Sequence, residues 1–310
     1  MSTPPPVTLL VPCYNAARFL PRLMEAVRAL RPPFAGVLAY DDGSTDDTVA
    51  VARSLGLEII TGNPNRGVAH ARNQLAAAAP TAWFHFHDAD DLIAPDFLLK
   101  LGPWCDEHHD VVSCNADWID EDTRRVMIPW RFDPAKIAQA PFGHLLRTAM
   151  GMNNSIIRKS SWAAIGGCDE RLAIWEDADV HIRLARAGAR FHHVPEVLTW
   201  SLRRDESFSN NYLRNWRCRL LTLESYAAGP LPTEARPILA EAAEAAAGEL
   251  AILGDETAAR RGIALCRSLG FHPPLGGSTP VRLLRFFVPA LTLVRWQRRR
   301  RQRAQSTPAT

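Results

Sequence analysis

The chain has 310 residues, a net charge of +3, 47% hydrophobic and 22% charged residues. That composition suits a globular protein with one large α/β domain and an appendage, or two modest domains. Its six cysteines (Cys13, Cys105, Cys114, Cys168, Cys218, Cys266) form no CxxC pair and no regular spacing, which argues against a zinc site and a disulfide framework and for reduced, buried thiols. Charge is uneven: residues 281–303 hold eight arginines and no acid, leaving −5 for the remainder, and an acidic body with basic charge only at its end argues against nucleic acid as a partner.

Residues 1–6 lack the basic and apolar regions of a signal peptide, and no run reaches the roughly 20 apolar residues needed to span a bilayer. A cytoplasmic body is expected. Val7-Thr8-Leu9-Leu10-Val11 is a β-prone run stopped by Pro12 and a polar turn at Asn15. Apolar residues then recur at helical spacing over 17–30 (Phe19, Leu20, Leu23, Met24, Val27, Leu30) until Pro32-Pro33. The cycle repeats with a strand over 37–40, a helix through Val49, Val51 and Leu55 that Ser44 or Thr45 can cap, a strand over 57–60, an alanine-rich helix from about Gly67 to Ala79, and a strand over 82–86. Strands alternating with crossover helices predict an α/β, doubly wound, mostly parallel sheet.

Beyond residue 100 the alternation lapses. The pattern predicts a strand over 110–115, an irregular connection from Pro129 to Pro141, a strand over 155–157 and a short helix over 160–165. A helix over 177–187 closed by Gly188 follows, then alanine-rich helices from about 214 to 270, broken at Pro230, Pro232 and Pro237. The expected division is a catalytic domain 1–213, a helical extension 214–270, a linker 271–280 and an amphipathic basic helix 281–303.

Carboxylates gather where strands end: Asp41-Asp42-Gly43-Ser44, Asp88-Ala89-Asp90-Asp91 and, later, Glu176-Asp177. Gathered carboxylates repel one another and lose solvation, so a fold that assembles them has a cation or cationic ligand there. Oxygen-only ligands suit Mg²⁺ or Mn²⁺ held by one or two carboxylates and substrate phosphates. In doubly wound sheets the ligand crevice lies outside the carboxyl ends of the strands, where Asn15, Asp41-Asp42 and Asp88-Asp90 fall. A metal-dependent enzyme acting on a nucleotide diphosphate is the first expectation. Plainer readings exist for each cluster: a turn and helix cap at Asp41–Ser44, a surface loop at 88–91, and an acidic first helical turn at Glu176-Asp177 favoured by the helix dipole. His85 and His87 alternate about Phe86, and His87 is open to a phosphate, metal or structural role.

Pro12-Cys13-Tyr14-Asn15, Asp41-Asp42-Gly43-Ser44-Thr45-Asp46, Asn65-Arg66-Gly67 with Ala71-Arg72-Asn73, Asp88-Ala89-Asp90-Asp91, Gly166-Gly167-Cys168-Asp169-Glu170 and Glu176-Asp177 occur in that order. Together they resemble family 2 of the inverting glycosyltransferases, whose fold is GT-A, over roughly residues 7–209. The resemblance implies that Pro12, Tyr14, Asn15 and Asp41 or Asp42 recognise the nucleotide, that Arg72 approaches its base or diphosphate, and that Asp88 contacts the ribose or a metal-bound water. It further implies that Asp90 ligates Mn²⁺ or Mg²⁺ beneath the diphosphate and that Asp177 is the catalytic base. Glu176, Trp175 and Arg204 are candidates for diphosphate or acceptor contacts, with packing an equal reading for Trp175. One departure stands out: Arg204 occupies the position where the family often has a histidine, and an arginine binds a diphosphate but ligates no metal.

The chemistry asks for the same parts. Breaking the anomeric C–O bond leaves a nucleoside diphosphate whose charge a metal and an arginine stabilise, while a carboxylate takes the proton of the attacking hydroxyl. The expected function is an inverting transfer from a nucleotide sugar, a UDP-sugar ahead of others, to a glycan or lipid-linked acceptor. A sugar nucleotidyltransferase shares the sheet and acidic site but would carry a glycine-rich, lysine-bearing loop where Pro12–Asn15 stands. A degenerate nucleotide- or glycan-binding homologue is the non-enzyme alternative, motivated by Arg204 and opposed by Asp88, Asp90 and Asp177. In the tail, Leu283, Leu284, Phe286, Phe287, Ala290, Leu291, Leu293 and Val294 share one helical face ahead of Arg298–Arg301. That pattern fits an interfacial helix on the anionic inner face of a membrane, or a helix packed on the body with a basic end; Pro289 weakens a continuous helix.

Overall fold

Runs of apolar residues with almost no polar interruption become the middle of one sheet in the computed structural model, which describes residues 4–204, 211–275 and 288–305. β1 (Val7–Cys13), β2 (Gly36–Asp42), β3 (Glu58–Gly62) and β4 (Trp83–Phe86) lie parallel in the order β3-β2-β1-β4. The chain moves outward from β1 to β3 and then returns to the other side of β1. A doubly wound sheet opens its ligand crevice at such a reversal, beyond the carboxyl ends of β1 and β4. Pro12 costs no ladder bond to β4, because that pairing ends at Leu10↔Phe86.

The crossover helices follow from spacing. α1 (Leu20–Ala29) turns Leu20, Leu23, Met24 and Val27 inward, with a proline in its first turn where a missing N–H goes unused. α2 (Thr48–Ser54) and α3 (Val68–Ala78) complete the alternating half. α2 starts later than a cap at Ser44 or Thr45 would place it, because those residues bond instead to the loop after β1: the Asn15 amide donates to Ser44 Oγ at 2.9 Å, and Thr45 N donates to Asn15 Oδ1 at 2.9 Å.

The second half is mixed. β5 (Leu92–Ile93), β6 (Val111–Asp120), β7 (Val126–Trp130), β8 (Ser155–Arg158) and β9 (Phe191–Arg203) extend the order to β4-β8-β6-β9-β5, with β7 on β6. β8 is antiparallel to both neighbours, so Ser155 lies at the same sheet edge as the carboxyl end of β4. The stretch from Pro129 to Pro141, expected to be irregular, instead finishes β7 and forms α5 (Pro134–Gln139), whose N-cap Asp133 accepts from Ala135 N and Lys136 N. α4 (Phe97–Leu101), α6 (Pro141–Arg147), α7 (Lys159–Ala164) and α8 (Glu176–Arg186) complete this unit. Leu9, Val11, Leu20, Leu23, Ala39, Phe97, Leu101, Val112 and Ile156 share its main core.

Two compact units divide at Ser207/Phe208. The second holds α9 (Tyr212–Ala227), α10 (Ala235–Ile252), α11 (Glu256–Ser268) and α12 (Ala290–Gln305). α10 and α11 approach closely because Gly262 has no Cβ; one there would meet Ala247 Cβ at 2.9 Å and Ala243 O at 3.0 Å. Leu293 and Val294 of α12 are buried, Val294 and Arg298 cover Gly248 of α10, and Arg298 Nε pairs with Glu249 Oε1 at 2.5 Å. Part of the apolar face expected for a membrane is therefore spent on α10. Leu283, Leu284, Phe286 and Phe287 lie outside the described residues, as does the expected linker beyond Leu275. Among the described residues no helix is long and apolar enough to cross a membrane, and all six cysteines are free and buried.

Candidate active site

Three loops meet at the sheet edge. The β1 loop is stitched to the β2 loop through Asn15, held at φ 50°, and through Ala17 N, which donates to Asp46 Oδ2 at 3.2 Å. Gly43, at φ +75°, lets the β2 loop pass the Pro64-Asn65 backbone; a Cβ there would sit 2.9 Å from Asn65 N. Asp42 accepts from Arg66 N at 3.0 Å and from Gly67 N at 2.6 Å, so both its oxygens organise the entry to α3. Asp41 has only long contacts of 3.3–3.4 Å from Ser44 N. Of the two expected nucleotide contacts, Asp42 is engaged by the fold and Asp41 keeps its acceptor capacity. Pro12 is half-buried beside them, and Tyr14 is 53% exposed.

Arg72 ties the site together. Its buried side chain leaves α3 and donates from Nη2 to Asp88 Oδ1 at 2.9 Å and from Nη1 to Glu176 Oε1 at 2.5 Å. One guanidinium thus bridges the end of β4 and the start of α8. Burial opposes its charge, but Asp88 and Glu176 more than offset that and raise its pKa. Its Nε is buried and has no partner among the described residues. Asp177, next to Glu176, keeps some exposure and accepts from Ala178 N at 2.7 Å. Burial first, and the Glu176 charge second, push its pKa up to about 7, while Arg72 holds it down. A carboxylate poised near neutrality is suited to accept a proton. Trp175 precedes this pair in the left-handed conformation, at φ 78°, half-buried at the N-cap of α8.

The Asp88–Asp91 loop splits in two. Asp91 is buried and accepts from Asn153 Nδ2 at 2.8 Å, Ser201 Oγ at 3.0 Å and Leu202 N at 3.1 Å, a structural clamp between β9 and the loop before β8. Asp88 and Asp90 keep side chains 40% and 32% exposed. Asp90 Oδ2 pairs with Arg204, and burial followed by the Asp88 charge raises its pKa. The carboxylates also reach the end of β1: burial, then Asp41, then Asp88 push the Cys13 thiol up to about 12.

Among the described residues no three of His, Cys, Asp and Glu converge on a point that could hold a metal ion alone. Asp88 and Asp90 nonetheless supply partly exposed carboxylate oxygens. A hard cation that keeps water and takes phosphate oxygens needs only one or two such ligands. The donor set therefore fits Mg²⁺ or Mn²⁺ bound with a diphosphate.

Behind the site runs a hydrogen-bonded path through His181, Ser155, His85 and His87 that sequence patterns did not reveal. His181 Nδ1 donates to Asp177 O at 2.7 Å, so its Nε2 accepts from Ser155 Oγ at 2.8 Å. His85 Nδ1 donates to Ser155 O at 2.9 Å, and its Nε2 accepts from His87 Nδ1 at 3.3 Å. Burial lowers the pKa of His181 to about 4, of His85 to about 3 and of His87 to about 4, keeping the path neutral. His87 is thus a packed histidine behind the carboxylates. Glu170 was also missed as an organiser: it meets Arg66 at 3.1 Å, His70 at 3.1 Å and Asn73 at 3.2 Å. Its loop docks on α3 where Cys168 N donates to Asn73 Oδ1 at 2.8 Å.

Comparison with known proteins matches this architecture. The model of glycosyl transferase family 2 matches residues 8–165, half of the chain. A pre-mycofactocin glycosyltransferase of Mycobacterium tuberculosis (strain ATCC 25618 / H37Rv) is 28% identical over 69% of this chain and 45% of its own length. The succinoglycan biosynthesis protein ExoU of Rhizobium meliloti is 28% identical over 61% of this chain and 60% of its own length. The chain thus spans about half the length of these curated relatives. Among solved structures, S. aureus TarS 1–349 in complex with UDP-GlcNAc superposes with a TM-score of 0.67 at 17% identity, covering 94% of this chain and 88% of that one. The mannosyltransferase PcManGT from Pyrobaculum calidifontis, in complex with GDP-Man and Mn²⁺, gives 0.61 at 18% identity over 94% and 85%. A sheet reversing at β1/β4, acidic loops at that reversal and the family match lead to one conclusion: the chain belongs to glycosyl transferase family 2 and has the GT-A fold.

Proposed function

We propose that the site moves a sugar from a nucleotide sugar, a UDP-sugar ahead of a GDP-sugar, to a hydroxyl of a glycan or lipid-linked acceptor by direct displacement with inversion. The observation that carries this reading is the Arg72 bridge, which joins the loop bearing Asp88 and Asp90 to the helix start bearing Asp177. Asp41, with Pro12, Tyr14 and Asn15 beside it, faces the nucleotide. Asp90, with Asp88, would hold Mn²⁺ or Mg²⁺; when bound, the ion supplies charge stabilisation to the departing diphosphate. Asp177 accepts the proton of the acceptor hydroxyl, Arg72 sets the charge balance between the two acidic loops, and Glu176 holds Arg72. Trp175 offers an aromatic edge beside the base for the acceptor. With one base and no second carboxylate needed as a nucleophile, the anomeric configuration inverts.

The relatives support the donor and acceptor classes: a solved neighbour holds UDP-GlcNAc, another GDP-Man with Mn²⁺, and a curated relative serves succinoglycan biosynthesis. Trp296, Arg299 and Arg300 face outward on α12 and suit an anionic membrane surface, consistent with a peripheral position at its cytoplasmic face. Calorimetric titration with UDP and GDP, with and without Mn²⁺, tests the donor reading. Binding that Mn²⁺ strengthens and Asp90→Ala weakens is expected. Failure of both nucleotides under both conditions would sink it.

A further inference from the structure

A ring of alternating charges closes around Asp90, and the reaction as derived uses only one member of it. Arg204 Nη2 pairs with Asp90 Oδ2, and Arg204 Nε lies 3.5 Å from Glu121 Oε2. Glu121 Oε1 lies 4.0 Å from Arg22 Nη1, and Arg22 Nη2 donates to the Asp90 carbonyl oxygen at 2.6 Å. The Phe19 ring supports the Arg204 guanidinium, 4.5 Å from its centroid. α1 with the residue before it, the loop after β4, the β6–β7 turn and the end of β9 all contribute, so the arginine is held from several sides. Its guanidinium occupies a carboxylate oxygen that a divalent ion would take.

We infer that Arg204 is a displaceable internal counter-ion for Asp90, which makes divalent-metal binding conditional on the nucleotide diphosphate. This rests on the reading of Asp90 as the metal-binding carboxylate. A guanidinium and a metal ion compete for Asp90 Oδ2. Without nucleotide, an arriving metal must expel Arg204 from Asp90, and the guanidinium keeps Glu121 and the Phe19 face among its contacts but gains no new acceptor. With a diphosphate at the same loop, the expelled guanidinium gains a planar, bidentate acceptor in exchange for the carboxylate it gives up. Metal and nucleotide then strengthen each other by one common factor, because linkage between two equilibria is reciprocal. Glu121 sets the balance: its carboxylate steadies Arg204 after displacement, so removing that charge ties the arginine more firmly to Asp90.

The test measures Mn²⁺ binding to the full chain by electron paramagnetic resonance of the free ion, with and without saturating UDP or GDP. The wild type, Arg204→Ala and Glu121→Gln are compared. The wild type should bind Mn²⁺ weakly alone and at least about tenfold more tightly with nucleotide, within the usual range of coupling between sites. Arg204→Ala should tighten Mn²⁺ binding to the nucleotide-free protein by about tenfold and shrink the gain from nucleotide to about threefold or less. Glu121→Gln should shift nucleotide-free Mn²⁺ binding the other way, by a factor of about two to five. General damage to the fold does not give opposite signs in the two variants. Unchanged Mn²⁺ affinity in Arg204→Ala, with nucleotide still bound, overturns the inference and leaves the donor reading standing. Nucleotide binding with no Mn²⁺ uptake in the wild type overturns it too, since Arg204 is then a permanent replacement for the ion. Failure of UDP and GDP to bind any variant overturns both the inference and the donor reading beneath it.

Discussion

The loop after β4 and the start of α8 each carry neighbouring carboxylates, and the fold treats the neighbours differently. At β4, Asp91 accepts three hydrogen bonds in the interior while Asp90 is left part-exposed against Arg204. At α8, Glu176 is buried on Arg72 while Asp177 has one backbone donor and a pKa near 7. Every one of these side chains is a carboxylate. The number and permanence of the donors around each carboxylate separate the ones that build the loop from the ones left for chemistry. A fully satisfied carboxylate is a poor base and a poor ligand, because its lone pairs are already committed.

The sharpest test of that contrast is Asp177→Asn. If Asp177 is the base, donor turnover should fall by about a thousandfold while nucleotide affinity is unchanged, in line with general-base contributions of roughly 10²–10⁴. Full turnover in this variant would break the comparison at α8. Next in size is Arg72→Ala, which strands the buried Glu176 and removes the link to Asp88. Removing one partner of a buried ion pair costs about 3–5 kcal/mol. Urea denaturation should therefore show a loss of about 3 kcal/mol, with nucleotide binding lost in parallel; a fully stable variant would mean that the bridge carries nothing.

A smaller effect reads the base directly. Asp177 must be ionised to accept a proton, and its pKa is raised, so activity should fall as pH drops through about 7. Below that point kcat/KM should decline about tenfold per pH unit. Burial is the main cause and the Glu176 charge the second, so Glu176→Gln should move the acid limb to lower pH. A limb that stays in place would assign it to another group.

Much of this is legible in the sequence. The alternation of apolar runs and helical spacing located β1–β4 and α1–α3 because those elements bury one face against one core, which leaves a periodic trace. The acidic clusters were legible because burying like charges together needs a reason. What the sequence hid is partnership over long separations. Asp42 looks like Asp41 until the Arg66 and Gly67 amides arrive from 24 and 25 residues away. Glu121 lies in an ordinary polar turn, and only the parallel pairing of β6 with β9, which sets Asp120 opposite Arg203, brings it to Arg204. The end of β7 and all of α5 fall in the stretch from Pro129 to Pro141 expected to be irregular, although Asp133 before Pro134 carries the signature of a helix start. On α12 the apolar face was visible, but not that α10 would bury Leu293 and Val294.

The smallest predicted effect separates the Asp41-Asp42 pair, which repeats the same division at the end of β2. Asp42 takes two backbone amides at the entry to α3, one of them at 2.6 Å. Asp42→Ala leaves those amides without their acceptor, and hydrogen bonds to a charged group contribute about 1.5–3 kcal/mol each at most. Water can reach the half-buried Gly67 and the exposed Arg66, so a net loss of about 2 kcal/mol in urea denaturation is expected. Asp41→Ala removes a group with only long contacts, so stability should stay within about 1 kcal/mol while UDP affinity falls about tenfold or more, a charge-assisted bond's worth. The two variants thus trade places: one loses fold and the other loses ligand. If both lost stability equally and bound UDP alike, donor count would not be what assigns roles to these carboxylates, and the same argument would have to be withdrawn at β4 and α8.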